Sequence, residues 1–226
     1  MPVNQNLPLR TVHCTEALSW LVARPSFEGC SFITSMPDLS ETPKLSVAEW
    51  KDWFILAASR IVTCSPPDGV SIFYQTDVKK NGSWIDKSQL CQKGAESAGG
   101  KLLWHKIVCR HPAGTVTYGR PAYSHMLCFS RGLKISFEHA SPDVLPSAGA
   151  SLWTRGMGLE ACKLACHYVL RDTPTRTVID PFCGRGTVLA VANALGLDAI
   201  GVELNRRRAA QSRTLTMGKI DRSISS

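Results

Sequence analysis

Three stretches carry residues whose types and spacing suit chemistry. The first is Asp180-Pro181-Phe182-Cys183-Gly184-Arg185-Gly186-Thr187, set between the β-branched run Thr177-Val-Ile and the apolar-periodic segment 187–195. A strand, a glycine-bearing turn and a helix in that order aim backbone N–H groups and the positive helix end at a ligand. Gly184 and Gly186 let the backbone approach that ligand closely. The second is Glu203, the acid that ends the strand-like run Ala199-Ile-Gly-Val-Glu203. A carboxylate in that place suits the hydroxyls of a ribose, so the two stretches together read as a nucleoside pocket. The G-x-G-x-x-G fingerprint of NAD sites and the lysine motif of P-loops are both absent. The third is Ser35-Met36-Pro37-Asp38, directly after the short strand Ser31-Phe-Ile-Thr34.

The elements around these residues position them. Segments 9–13, 31–34, 70–75, 102–109, 123–129, 177–179 and 199–203 are short apolar runs that predict strands. Between them, 15–21, 46–62, 88–98, 159–170 and 187–195 have helical spacing of apolar residues. Thr15 is a candidate N-cap, and Ser46 with Glu49 makes a capping box. The aromatics of 46–62, Trp50, Trp53 and Phe54, read as core. Segment 76–86 reads as a polar loop carrying Lys79, Lys80 and Trp84, segment 110–120 as a basic Gly/Pro loop, 131–151 as a connector, and the residues after Glu203 as a basic tail. The alternation predicts an α/β fold, a doubly wound, mostly parallel sheet with helices on both faces. Ligands of such sheets bind outside the carboxyl ends of the strands. The turns at 14–16, 35–38, 75–79 and 180–186 should therefore meet in one crevice.

The chain has 226 residues, 44% of them hydrophobic, which suits one domain spanning 1–226. No run is apolar enough to cross a bilayer and the N-terminus lacks a secretory layout, so a soluble intracellular protein is expected, nuclear in a eukaryote and otherwise cytoplasmic, with no membrane partner. There are nine scattered cysteines without a C-x-x-C pair, and many lie within apolar runs (Cys64, Cys109, Cys128), as buried thiols do. Cys162, Cys166 and His167 lack a second cluster to complete a metal site, and no metal is expected. The net charge of +8, with clusters at Lys79-Lys80 and Arg206–Arg208, favours a polyanionic partner. Lys79, Lys80, Lys106, Arg110, Arg120 and Arg131 are the phosphate-contact candidates. Trp84, Tyr74 and Trp104 are the candidates to stack on a base.

D-P-F-C-G-x-G-T closely resembles motif I of the S-adenosylmethionine-dependent amino-methyltransferases that act on nucleic acids. Other parts line up with that group. His13-Cys-Thr-Glu16-Ala-Leu-Ser-Trp-Leu resembles its Y-C-G-D-x-L-x-x-L element, Trp104-x-Lys106 its W-x-K, and Tyr123-Ser-His125 to Phe129-Ser-Arg131 its S-H-E-x-x-x-x-F-x-K. The resemblance covers residues 9–213 and implies a Rossmann-like methyltransferase with a circularly permuted motif order: a catalytic half at 1–131, a connector at 132–152 in place of a target-recognition insertion, and a cofactor-binding half at 153–226. It implies S-adenosyl-L-methionine as cofactor, held by Glu16, Arg155, Asp180, Pro181, Phe182, Cys183, Gly184, Gly186, Thr187 and Glu203. Arg155-Gly156 stands where the group has Lys-Pro.

The resemblance also implies a catalytic tetrad of the pattern D/N/S-P-P-Y/F/W after a strand. Ser65-Pro66-Pro67-Asp68 matches more letters but precedes its strand, so Ser35-Met36-Pro37-Asp38 is taken as the tetrad. In that role the Ser35 hydroxyl and the Met36 carbonyl accept the two hydrogens of an exocyclic amine, and Pro37 stiffens the turn. Asp38, in place of a stacking aromatic, is a further acceptor or proton sink, or else a helix cap. Serine at the first position favours cytosine N4 over adenine N6. DNA is the favoured partner, with RNA, a homodimer and a catalytically inactive nucleic-acid-binding relative as the alternatives.

Overall fold

The computed structural model describes residues 7–24, 26–153 and 156–224. Its sheet is built from strands whose neighbouring residues go to opposite faces, as the period of two requires. In β2 (Cys30–Thr34), Phe32 packs into one core cluster and Ile33 into the other; Phe73 and Ile72 of β3 (Ser71–Gln75) divide the same way. A strand buried on both faces has no polar side to show, which is why these segments read as continuous apolar runs.

The main sheet has eight strands in the order β1-β10-β9-β2-β3-β7-β6-β8. Here β1 is Arg10–His13, β6 Lys101–Cys109, β7 Tyr123–Ser130, β8 Val144–Leu145, β9 Thr177–Asp180 and β10 Asp198–Val202. The strands β1, β10, β9, β2 and β3 are mutually parallel, and β7 runs against both β3 and β6. One face is covered by α1 (Ala17–Val22), α2 (Val47–Cys64) and α3 (Lys87–Ser97), whose Trp20, Trp50, Phe54 and Leu90 share a cluster with Phe32 and Phe73. The other face carries α4 (Leu159–Asp172), α5 (Thr187–Ala194), α6 (Arg206–Thr214) and α7 (Met217–Ile224). This is the doubly wound, mostly parallel architecture expected, and the half carrying Ser35 precedes the half carrying the glycine turn, an order consistent with the permuted layout. No helix among the described residues is long and apolar enough to cross a membrane.

Several local expectations are corrected. Glu16, not Thr15, caps α1, its carboxylate accepting from Leu18 N (2.9 Å) and Ser19 N (2.7 Å). Segment 76–86 is not a plain loop: β4 (Val78–Lys80) and β5 (Ser83–Ile85) form a hairpin whose turn residues Asn81 and Gly82 both have positive φ. Asn-Gly is the strongest short hairpin signal, and the sequence displayed it. The basic tail is two helices. Asn205 caps α6 by accepting from Arg207 N and Arg208 N. Only Ala209 and Ser212 of α6 are buried, so it has almost no apolar stripe to betray it. The connector contributes β8, paired with β6.

The contact between α2 and α3 depends on a missing side chain. A Cβ on Gly94 would lie 2.5 Å from Ile55 O and 2.7 Å from Ala58 Cβ. Helix propensity alone favours alanine at this mid-helix site by about 1 kcal/mol. The clash is with backbone and dominates, so Gly94→Ala should destabilise the protein by about 1–2 kcal/mol. A urea titration followed by far-UV circular dichroism checks the sign; an unchanged or higher midpoint would show that the two helices separate freely.

Candidate active site

The carboxyl ends of β1, β10, β9, β2 and β3 open on one cavity of about 610 Å³. Its wall includes Glu16, Ser35 to Asp38, Asp180 to Gly184, Thr187 and Glu203, so the three stretches that suit chemistry meet as expected. Ser65 to Asp68 instead form the turn that enters β3, at the opposite edge.

The glycine turn makes one side. Asp180 ends β9 with its carboxyl buried; Oδ1 accepts from Thr34 Oγ1 (2.6 Å) and Phe182 N (3.1 Å). Burial is the dominant influence and pushes this carboxyl up to about 7, with Glu203 adding to the rise against the two hydrogen bonds. Gly184 lines the cavity at φ +54°, and a Cβ there would meet no protein atom within 4 Å, only cavity space. Gly186 caps α5 at φ +88°, where a Cβ would sit 2.8 Å from Ser212 Cα. Glu203 Oε1 accepts from Asn205 N (2.7 Å), and among the described residues no group engages Oε2. Burial works to raise the Glu16 carboxyl, but the amides of Ser19 and Leu18 hold it below its ordinary value. Arg155 lies outside the described residues. Its neighbour Trp153 does line the cavity, with the Arg208 guanidinium 4.9 Å from its ring centre.

The turn from Ser35 to Asp38 makes the other side. Met36 is buried, and Pro37 O accepts from Trp50 Nε1 (3.3 Å), which pins the turn to α2. Among the described residues neither the Ser35 hydroxyl nor the Met36 carbonyl has a hydrogen-bond partner. Two acceptors with nothing bound to them, in the wall of a cavity, can take both hydrogens of an amine.

Asp38 is neither a free acceptor nor simply a cap. It is buried between two cations, Lys87 Nζ on Oδ1 and Arg120 Nη2 on Oδ2. Lys87 is held in turn by Gln75 Oε1 (3.3 Å), while its backbone N donates to Asp77 Oδ1 (2.9 Å). Asp77 also accepts from Trp84 Nε1 (2.9 Å) and lies 3.0 Å from His125 Nε2, whose other ring nitrogen meets His105 Nε2 at 2.9 Å. Asp77, Asp86 and His125 form the one gathering of metal-ligand atoms among the described residues. In the structure, Asp77 is occupied with these hydrogen bonds. Cys162 and Cys166 face the core while His167 is exposed, so those three do not converge.

The phosphate-contact candidates divide. Arg110 and Arg120 line the cavity. Lys79 and Lys80 are exposed on the hairpin, where Lys79 Nζ reaches Thr117 O (3.1 Å). Lys106 is corrected: it is buried, its ammonium donating to Ser141 O (2.9 Å) and Pro142 O (3.0 Å), and it straps the connector to β6. Arg131 is also corrected, since it donates to Ser65 O (2.5 Å) at the edge away from the cavity. Of the stacking candidates only Tyr74 lines the cavity; Trp84 is tied to Asp77 and Trp104 packs on Tyr168. Trp53, read as core, also lines it, edge-on to Phe182.

Residues 171–213, which contain the glycine turn and Glu203, match the family model of the N6/N4 methyltransferases, described as DNA methylase. Among solved structures, a provisionally named DNA modification methylase from Thermus thermophilus superposes with a TM-score of 0.69 at 17% identity over 96% of both chains. It has also been solved with S-adenosyl-L-methionine. The PvuII DNA methyltransferase, described as cytosine-N4-specific, gives 0.67 at 18% identity over 97% of this chain and 94% of its own. The M1.HpyAVI complex with S-adenosylmethionine gives 0.59 at 12% identity over 91% of this chain and 98% of its own. No curated protein matches the chain. The fold is therefore that of the Rossmann-like methyltransferases, and the matched segment agrees with the resemblance read from the residues.

Asp180 gives the site a pH signature. Its folded-state value, about 7, lies above the ordinary carboxyl value of 3.8, so the folded state keeps a proton that the unfolded chain has lost. This contribution is complete below pH 4 and is lost as pH rises toward and through 7, at no more than about 1.4 kcal/mol per pH unit. Asp180→Asn preserves the acceptor for Thr34 and Phe182 and removes the titration. Urea midpoints measured from pH 4.5 to 7.5 should fall less steeply for this variant than for the parent; parallel curves would refute the assignment.

Proposed function

We propose that this chain is an S-adenosylmethionine-dependent methyltransferase acting on the exocyclic amino group of a base in nucleic acid, with cytosine N4 in DNA as the first substrate. The observation that carries the reading is the pair of unpartnered acceptors, Ser35 Oγ and Met36 O, in the wall shared with the glycine turn and Glu203. The residues present suit the cofactor: Gly184 leaves cavity space where a side chain would stand, and Glu203 keeps one oxygen for ribose hydroxyls. When bound, S-adenosylmethionine supplies a methyl group made electrophilic by its sulfonium. The position of the Ser35 half before the glycine-turn half supports a permuted member of the group.

The chemistry required of the protein is modest. An aromatic amine is a weak nucleophile because its lone pair is delocalised into the ring. Accepting both its hydrogens at Ser35 and Met36 fixes its direction and favours a pyramidal nitrogen, so that catalysis is positioning and electrostatics. Trp50 holds the turn through Pro37 O, and Tyr74 offers the base a ring at the cavity wall. A target inside a duplex has to be flipped out to reach this wall. The serine of the tetrad and the cytosine-N4-specific description of the PvuII enzyme favour cytosine. RNA is the second reading, favoured by the shortness of the connector at 132–152, which Lys106 ties to β6 and which stands in place of a recognition insertion.

Incubation with tritiated S-adenosylmethionine and DNA or RNA, followed by nucleoside mass spectrometry, should yield N4-methylcytosine from DNA. N6-methyladenine would move the base assignment, and no methylated base despite calorimetric binding of the donor would remove the activity. Ser35→Ala should lower kcat by roughly ten- to a hundredfold while the donor Kd stays within about twofold of the parent.

A further inference from the structure

We infer that Asp38 is the anchor of a phosphate-binding arginine: it holds Arg120 at the cavity rim, and the free side of that guanidinium takes a phosphate of the target nucleotide. The inference rests on the nucleic-acid reading and names how its substrate is gripped.

One carboxylate meets two cations, so the group of Asp38, Lys87 and Arg120 keeps one net positive charge. Lys87 is buried and its ammonium is surrounded by Asp38, Gln75 and the rings of Phe54 and Trp50. Lys87 lines the cavity but its side chain is only 3% exposed, whereas Arg120 presents its guanidinium openly, so the surplus charge is offered chiefly at Arg120. That side chain is 36% exposed and lines the cavity. A guanidinium has five N–H donors in a rigid fork. Arg120 uses one on Asp38, and among the described residues the others have no partner.

The loop carrying Arg120 is built to hold it there. Arg110 N and His111 N both donate to Ala122 O, at 2.7 and 3.1 Å, closing the loop at its neck. The Arg110 guanidinium donates to Pro121 O (3.1 Å), the carbonyl next to Arg120, and also lines the cavity. Arg110 and Arg120 thus bring two guanidiniums to the wall of one cavity, and the open fork of Arg120 fits the oxygens of an anion there. Phosphate is the anion that a nucleic acid brings. Each oxygen of Asp38 already meets a cation, so the carboxylate's first partners are Lys87 and Arg120 rather than the substrate amine. Asp38 is thus a positioning residue, and Arg120 touches the substrate.

The test measures binding of a short single-stranded oligonucleotide by fluorescence anisotropy over a range of salt, with S-adenosylhomocysteine present to hold the site without turnover. Arg120→Gln should weaken binding roughly tenfold and reduce the slope of log affinity against log salt by about one. Arg120→Lys, which keeps the charge but not the fork, should keep the slope and recover only part of the affinity. Asp38→Asn should shift affinity in the same direction as Arg120→Gln, and the double variant should bind no worse than Arg120→Gln alone. Donor affinity should stay at the parent value throughout. If Asp38→Asn fails to fold because Lys87 is left buried and unpaired, Asp38→Asn combined with Lys87→Met removes both buried charges and should show the same loss. A methylphosphonate at the target nucleotide should weaken the parent and leave Arg120→Gln unaffected. A parent that binds no oligonucleotide would overturn the inference and the nucleic-acid reading together. A parent that binds and methylates, beside an Arg120→Gln variant with unchanged affinity and slope, would overturn the inference alone. Loss of turnover in Asp38→Asn with oligonucleotide binding intact would return Asp38 to the reacting amine.

Discussion

One hydrogen bond joins the two halves of the site. Thr34 ends β2 and immediately precedes Ser35; Asp180 ends β9 and opens the glycine turn. They are 146 residues apart in the chain and 2.6 Å apart in space, Thr34 Oγ1 donating to Asp180 Oδ1 in a buried setting. The parallel pairing of β2 with β9 brings them level at the same edge. The turn that would orient an amine and the turn that would hold a methyl donor therefore start from a common point. Their separation is set by the fixed spacing of adjacent strands rather than by loop conformation. A buried carboxyl with few partners is costly, and here the rise of Asp180 to about 7 is the sign of that cost.

Much of this was legible. A glycine turn between a β-branched run and an apolar helix has few other uses, and the residues from Asp180 to Thr187 fell where their pattern placed them. The carboxyl-edge rule chose Ser35–Asp38 over Ser65–Asp68 against the better letter match, because it depends on strand direction. The two-faced strands were readable for the same reason: a buried parallel strand admits almost only apolar residues.

What was not legible concerns charges whose partners are distant in sequence. Lys87 is 49 residues from Asp38 and Arg120 is 82, and neither side chain has any local pattern that announces an ion pair. Lys106 looked like a surface cation because lysine almost always is, yet the carbonyls of Ser141 and Pro142 bury it. Trp53 shares its helix face with Trp50 and Phe54, and periodicity cannot distinguish a residue that faces the core from one at its margin, where the cavity begins. The helix α6 had no apolar stripe to find. These failures share a cause: local spacing reports which face a residue is on, and tertiary neighbours decide what it meets there.

The strand order has a mechanical consequence. The strands β9 and β10 belong to the C-terminal half, yet they sit in the sheet between β1 and β2 of the N-terminal half. Arg10 adds to the interlock by donating to the carbonyls of Leu189, Ser212 and Leu215. Two halves threaded through one sheet cannot swing apart as hinged bodies without breaking two parallel ladders. Opening and closing of the cavity must therefore fall to loops at its margin, such as the one between β6 and β7 that supplies Arg110 and Arg120 and is tied to the β4–β5 hairpin through Lys79 and Thr117 O. The floor of the site stays still, and traffic through it is governed at the rim.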